Sequence, residues 1–494
     1  MENRRKFLKK LGITAGGIST IGGLSPIFAN TKEQLVTNKP IKINGRVTTN
    51  GKGVANVQVT DGQQIVLTDQ NGNFNFLSNN NRKFVYITQP AGYKINQLDN
   101  GSADFFKPID ATKKNNEFLF QLTPSVVSDN EHHFLLLADP QIQSKYEAQQ
   151  LLDVATPDFI NTVKDINHPN TFGIGCGDLV FDKLELFKDY NQSIKNTNVP
   201  FYQVIGNHDM DLNVRSDKMT TTTFESLFGP TYYSFNRGEI HYVVLDDVFF
   251  IGQDKKYIGY INEEQLAWLE QDLSFVEPGT TVVVSLHIPT YTGAVRRYPE
   301  RDVMGGVVSN RAYLYKILEP YNTHIMSGHT HFNDNMVAKN RFEHCHGTVC
   351  GAWWSGPICW DGTPSGYGVY SAKGSDFKWY YKSIGHDKNY QFTVYKKGEH
   401  PDHKDKWCLN VWNWDPEWQI CWYEDGIKKT DVSKIMALDP LSIKLHTGPK
   451  LPKRRSWVEP QLNDHMFFFT PNEKAKTITV EVTDRFGNKY SQTV

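Results

Sequence analysis

Cysteine is scarce in this chain, with six in 494 residues, which excludes a disulfide-framed scaffold and leaves folding to hydrophobic cores. Cys176 lies inside an apolar run and reads as a small packed hydrophobe. Cys408 and Cys421 flank Trp414-Asp415 symmetrically, so they would face each other across a hairpin, as a disulfide or as a free pair. The stretch His344-Cys345-His346 followed by Cys350 lacks the spacing of a closed zinc knuckle. An excess of either charge is missing too: 53 Lys and Arg against 54 Asp and Glu leave a net charge of −1. With no basic stripe, a nucleic-acid groove is not indicated, and the short run 450–455 reads as a solvated loop. Beyond residue 29 no apolar run is long enough to cross a bilayer, so no transmembrane helix is expected past the N-terminal segment.

What is present begins with that segment. Arg4-Arg5 within a basic stretch precedes a mildly apolar, Gly-rich run ending near Ala29. Residues 1–29 resemble a twin-arginine export signal, with an ordinary secretory signal or an uncleaved anchor as alternatives. The expected location is the periplasm, the cell envelope or the outside of a bacterial cell. The length suggests about three domains. Residues 38–123 alternate in short runs broken by Gly, Asn and Asp, and Asn71-Gly72 reads as a hairpin turn between 65–68 and 74–76. A small β-sandwich is predicted there, similar to the prealbumin or carboxypeptidase-regulatory modules of secreted proteins.

Residues 130–387 switch between strand and helix periods, predicting an α/β sandwich. A helix is expected over 145–165. Another begins at Asn262, whose side chain caps it, with Leu266, Leu269 and Leu273 as the buried stripe, and a third follows Ser309 or Asn310. Residues 390–494 return to alternation and predict a second β-sandwich. The fold class is therefore α/β, a central sandwich flanked by two small β modules.

Five fragments rich in metal-ligand residues each follow an apolar run that reads as a strand, at 134–137, 171–176, 201–205, 282–286 and 324–326. They are Asp139-Pro140-Gln141, Gly177-Asp178, Gly206-Asn207-His208-Asp209, His287 and Gly328-His329-Thr330-His331. Carboxylates, an amide and imidazoles at the ends of neighbouring strands would converge on one sheet edge, where α/β folds place their sites.

In this order the fragments resemble the signature of the calcineurin-like metallophosphoesterase family, in an exported bacterial subgroup with β modules on both sides. The resemblance implies two divalent ions, Mn²⁺ favoured, with Mg²⁺, Zn²⁺ or iron as alternatives. It gives Asp139, Gln141 and His331 to the first ion, Asn207, His287 and His329 to the second, and Asp178 to both. It implies hydrolysis of phosphomonoesters or phosphodiesters by metal-bound hydroxide, on a small or polymer-linked substrate. His208 would protonate the departing oxygen, and Asp209 would orient the His208 ring. Asp182, four residues beyond Asp178, reads as a loop acid. Gln141 departs from the family's usual His; its amide oxygen tilts the first site toward oxygen-preferring ions.

On the substrate side, Trp353, Trp354 and Tyr367 are expected as a stacking wall, and Arg297, with Arg296 and Arg301, as anion contacts. The alternative function is a non-catalytic, metal-stabilised binder of glycans or envelope polymers. Oligomeric state is not legible.

Overall fold

Strands whose side chains are apolar on both faces belong in parallel sheets covered on both sides, and the runs ending in the ligand fragments are of this kind. The computed structural model describes residues 39–494 apart from 253, 254, 302, 450 and 452–454. The proposed export signal, and most of the basic run at 450–455, lie outside the described residues.

The ligand-bearing strands form two sheets. The first runs in the order Phe201–Val204, Thr171–Cys176, Glu131–Leu137, Gly366–Lys373, Asp376–Ser383. Its first three strands are parallel, and Gly366–Lys373 joins antiparallel. The second runs Tyr233–Arg237, Ile240–Val244, Thr281–Ser285, Asn322–Ser327, Arg341–Cys345, Asp334–Ala338, with its four central strands parallel. The two sheets meet through aromatic rings. Phe172 of the first lies edge-to-face on Phe235 and Tyr242 of the second, and Phe235 stacks between Tyr202 and Tyr242. Each such side chain, fully buried, contributes about 1.5–3 kcal/mol of transfer energy. Parallel strands in register leave their C-terminal ends on one side, and there the site is built.

The helix expected over 145–165 is present but interrupted. Lys145–Gln150 and Thr156–Ile166 are α-helical, with a wider π turn at Leu151–Ala155 between them. Pro157 has no N–H to continue the ladder, and the Thr156 hydroxyl bonds the Leu151 carbonyl instead, 2.8 Å away. Helix Glu263–Leu273 starts as expected, the Asn262 side chain accepting from the Gln265 N–H. Its buried face is Trp268, Leu269 and Leu273, with Leu266 only half-buried.

Two four-stranded sheets precede this core, one built around Pro40–Thr49 and one around Gln58–Thr60. The Asn71-Gly72 turn is there, with Gly72 at φ 77°, but it does not close the expected hairpin. Ile65–Leu67 pairs with Gln58–Thr60 in one sheet, whereas Asn73–Asn79 pairs with Pro40–Thr49 in the other. Asp69 accepts from the Asn71 and Asn73 N–H groups, so the turn carries the chain between sheets.

Two more four-stranded sheets follow the core and enclose Leu409, Val411, Trp422, Phe467, Val480 and Val482. Here the cysteine reading is corrected. Cys408, in Trp407–Val411, and Cys421, in Gln419–Glu424, belong to different sheets, and both are free thiols.

Candidate metal centre

Each ligand fragment begins where a parallel strand ends, and its backbone turns sharply. Asp139, Gln141, Asp178, His329 and His331 all have positive φ, between 41° and 68°. For a residue bearing a side chain this left-handed conformation costs on the order of 1 kcal/mol or more, and it persists where the surroundings over-determine it. The glycines in the fragments have a steric reason. A Cβ on Gly328 would lie 2.2 Å from Asp139 Oδ2, and one on Gly177 2.3 Å from His287 Nδ1.

The donors of the expected second position converge. His287 Nε2 lies 3.1 Å from Asn207 Oδ1, 3.2 Å from His329 Nδ1 and 3.3 Å from Asp178 Oδ1. Atoms bound at about 2.1 Å around one ion stand roughly 3.0–3.4 Å apart in octahedral or tetrahedral order, so these spacings are the edges of a coordination shell. Asp178, His287 and His329 form a compact group of potential metal ligands. At the other position three buried polar atoms make no hydrogen bond: Asp139 Oδ1, Gln141 Oε1 and His331 Nε2, the first and last standing 3.6 Å apart. Buried orphans are rare in folded proteins, and three from ligand residues beside Asp178 fit a cation. Gln141 Nε2 donates to Asp178 Oδ2 at 2.5 Å, tying this position to the shared carboxylate.

The three imidazoles are aimed through their second nitrogens. His287 Nδ1 is held by the Cys176 carbonyl, His329 Nε2 by that of Gly305 and His331 Nδ1 by that of Gly351. A neutral ring whose N–H is given to a carbonyl presents a bare lone pair on its other nitrogen, the form a metal takes; His287 reaches that form on giving up a proton. Burial pushes His329 down to about 3 and His331 down to about 4, so both are neutral at ordinary pH. Burial would lower His287, but Asp178 and Asp139 beside it raise it to about 10, so without an ion this ring carries a proton. Burial would likewise raise the Asp178 carboxyl, but His287, His208 and His329 together outweigh it and Asp178 stays ionised, well below the usual range. Asp139 is raised well above its ordinary value by burial.

His208 stands beside these donors without joining them. Its backbone N–H donates to Asp178 Oδ1, and its ring Nδ1 bonds Asp182 Oδ1 at 2.8 Å. Asp182 also accepts from Lys255 Nζ at 2.7 Å. This corrects the expected division of labour. Asp209, fully buried, accepts from the backbone N–H groups of Gly206, Leu179 and Val180, so it fastens two ligand loops together rather than turning the His208 ring. Asp182 holds the ring, and the signal for it was its position four residues beyond Asp178 on the same loop. Asp247, also missed, follows strand Ile240–Val244 and accepts from the His287 and Ile288 N–H groups; its place at a strand end was the available clue.

The substrate-side residues divide. Trp353 stacks on the His331 ring, centroids 3.9 Å apart, and Trp354 Nε1 donates to the Pro140 carbonyl, so both border the centre. Tyr367 does not: it is fully buried, and its hydroxyl bonds Thr162 and Asp158 under a helix. Arg297 is buried in a two-pronged pair with Asp334, which leaves no free face for an anion. Arg296 pairs with Asp464 and Arg301 donates to Gln461, so this loop clasps the C-terminal sheets.

Comparison with known proteins gives matches along the chain. A family model described as calcineurin-like phosphoesterase matches residues 132–333. Those for the N terminal and C terminal of calcineurin-like phosphoesterase match 41–125 and 343–490. Purple acid phosphatase 15 of Arabidopsis thaliana is 26% identical over 216 residues, 38% of this chain and 38% of its own. Purple acid phosphatase 13 of the same plant is 28% identical over 141 residues, 26% of this chain and 24% of its own. The chain thus spans less than half the length of these relatives. Among solved structures, purple acid phosphatase PPD1 from yellow lupin aligns at TM-score 0.38 and 13% identity, covering 70% of this chain and 67% of that one. Phosphopantetheinyl hydrolase from Mycobacterium tuberculosis aligns at TM-score 0.31 and 10% identity, covering 44% and 91%.

Proposed function

Because the chain belongs to the calcineurin-like phosphoesterase family, we propose that it is an exported hydrolase of phosphomonoesters or phosphodiesters that works with two divalent ions. The observation that carries this reading is His208, fixed by Asp182 next to the donor set and outside it. A purely metal-stabilised binding protein has no use for an oriented imidazole that ligates nothing.

When bound, two divalent ions would generate the nucleophile near neutral pH and offset the charge on the phosphoryl oxygens. Asp139, Gln141, Asp178 and His331 would hold one, and Asp178, Asn207, His287 and His329 the other. The Gln141 amide oxygen favours Mn²⁺ or Mg²⁺ at the first position. The chain supplies the rest. Asp182 accepts at His208 Nδ1 and thereby fixes which ring nitrogen faces the substrate; among the described residues Nε2 has no protein partner, so it is available to give a proton to the departing oxygen. The Asp178 carboxylate, receiving the His208 N–H, sets the distance between that acid and the ligand set. Export rests on the Arg4-Arg5 stretch.

The test is turnover of chromogenic phosphomonoesters and phosphodiesters by purified protein, stripped of metal and reloaded with Mn²⁺, Mg²⁺ or Zn²⁺. His208→Ala is expected to lower kcat by about 10²- to 10⁴-fold while metal content stays unchanged. Turnover that ignores both chelation and this substitution would exclude the reading.

A further inference from the structure

Trp457 is 52% exposed, an unusual place for so large an apolar ring. It does not stand alone. It lies edge-to-face on Trp353 with centroids 4.5 Å apart, and Trp353 in turn stacks on the His331 ring at 3.9 Å and 19°. Phe181 meets the His208 ring edge-to-face at 3.9 Å, and it packs against the cluster of Ala352, Trp353 and Val458. One aromatic wall therefore runs from a ring of the ligand set to the proton donor, and its exposed outer member comes from the C-terminal part of the chain.

That outer member is anchored. Arg455, two residues earlier, is buried and donates to Gln143 Oε1, to Glu147 Oε1 and to the Trp353 carbonyl. Its guanidinium also lies 5.3 Å from the centre of the Phe181 ring. A buried charge held by so many partners is a costly way to fix a surface turn unless the position of that turn matters.

Geometry gives the wall its occupant. The scissile oxygen must come within hydrogen-bond reach of His208, about 3 Å, and the wall begins beside that ring at Phe181. Resting on the phosphoesterase reading above, we infer that Trp457 is a specificity-determining residue: it stacks on an aromatic ring in the leaving group, as in the base of a nucleoside phosphate. Every nucleobase has a π face, so the preference is for a base over none, and not among bases.

The experiment uses the full chain loaded with Mn²⁺ and two esters with the same scissile bond, adenosine 5′-phosphate and ribose 5-phosphate. Trp457→Ala is expected to lower kcat/KM for the nucleotide by about 5- to 100-fold, the usual worth of one base stack, and to leave ribose 5-phosphate within about twofold of the unaltered enzyme. Trp457→Phe restores most of the loss. In the metal-free protein, adenosine is expected to quench tryptophan emission saturably, and Trp457→Ala abolishes that quenching. An equal loss on both esters, no loss on either, or quenching that survives the substitution overturns the proposal. If the unaltered protein hydrolyses neither ester with any divalent ion, the phosphoesterase reading fails, and the adenosine titration still decides whether Trp457 holds a base.

Discussion

Around His208 the ring-holding task expected of Asp209 falls to Asp182, and Asp209 does something else. Asp182 binds the ring, while Asp209 binds three backbone N–H groups. Asp182→Asn keeps the shape and removes the charge. It is expected to lower kcat by about 10- to 100-fold, the usual effect of losing a partner behind a functional imidazole, with KM and bound metal little changed; steady-state kinetics with metal analysis check this. Asp209→Asn has one acceptor oxygen where three donors converge, so its loss is expected in thermal stability as well as in rate. Gln141 allows a complementary test. Its φ of 41° is one that His tolerates, so Gln141→His is expected to hold the first ion more tightly, seen as slower loss of metal to a chelator. Equal rates of loss would mean that Gln141 does not face the ion.

At the scale of elements, the loop carrying Arg297 shows why some of the site was legible and some was not. The strand ends were readable because ligand chemistry and apolar runs are both local patterns, and the two sheets bring every expected ligand to one edge. Arg297 and Tyr367 were misplaced because what decides their roles, Asp334 and Asp158, lies 37 and 209 residues away. The Asn71-Gly72 turn misled for a similar reason, since a turn signal says where the chain reverses and not which sheet receives it. Arg297→Ala leaves Asp334 buried without its partner, and about 3–5 kcal/mol of stability is expected to go, with KM per folded molecule unchanged. Burial would raise the Asp334 carboxyl, but Arg297, with smaller help from His465 and the Gly293 N–H, holds it below its ordinary value. The pair therefore contributes above roughly pH 4 and its contribution fades as pH falls through the lowered native value. Melting curves of both proteins should converge in acid and separate at neutral pH.

For the whole molecule, the N-terminal sheets and the central sandwich share one core. Phe105 meets Tyr202 and Tyr233, and Gln58 donates to Asp272, which also binds Ser234 and His241. Removing residues 41–125 would expose those rings and strip a buried carboxylate of a donor. The shortened chain is expected to aggregate or to melt well below the full one, and a monodisperse product with unchanged melting would show the sheets to be separable. The five ligand residues with left-handed backbones also bear on how the loops fold. Each such turn costs on the order of 1 kcal/mol, and a bound cation would offset part of that cost. Ordering of the ligand loops and filling of the site are then one linked equilibrium.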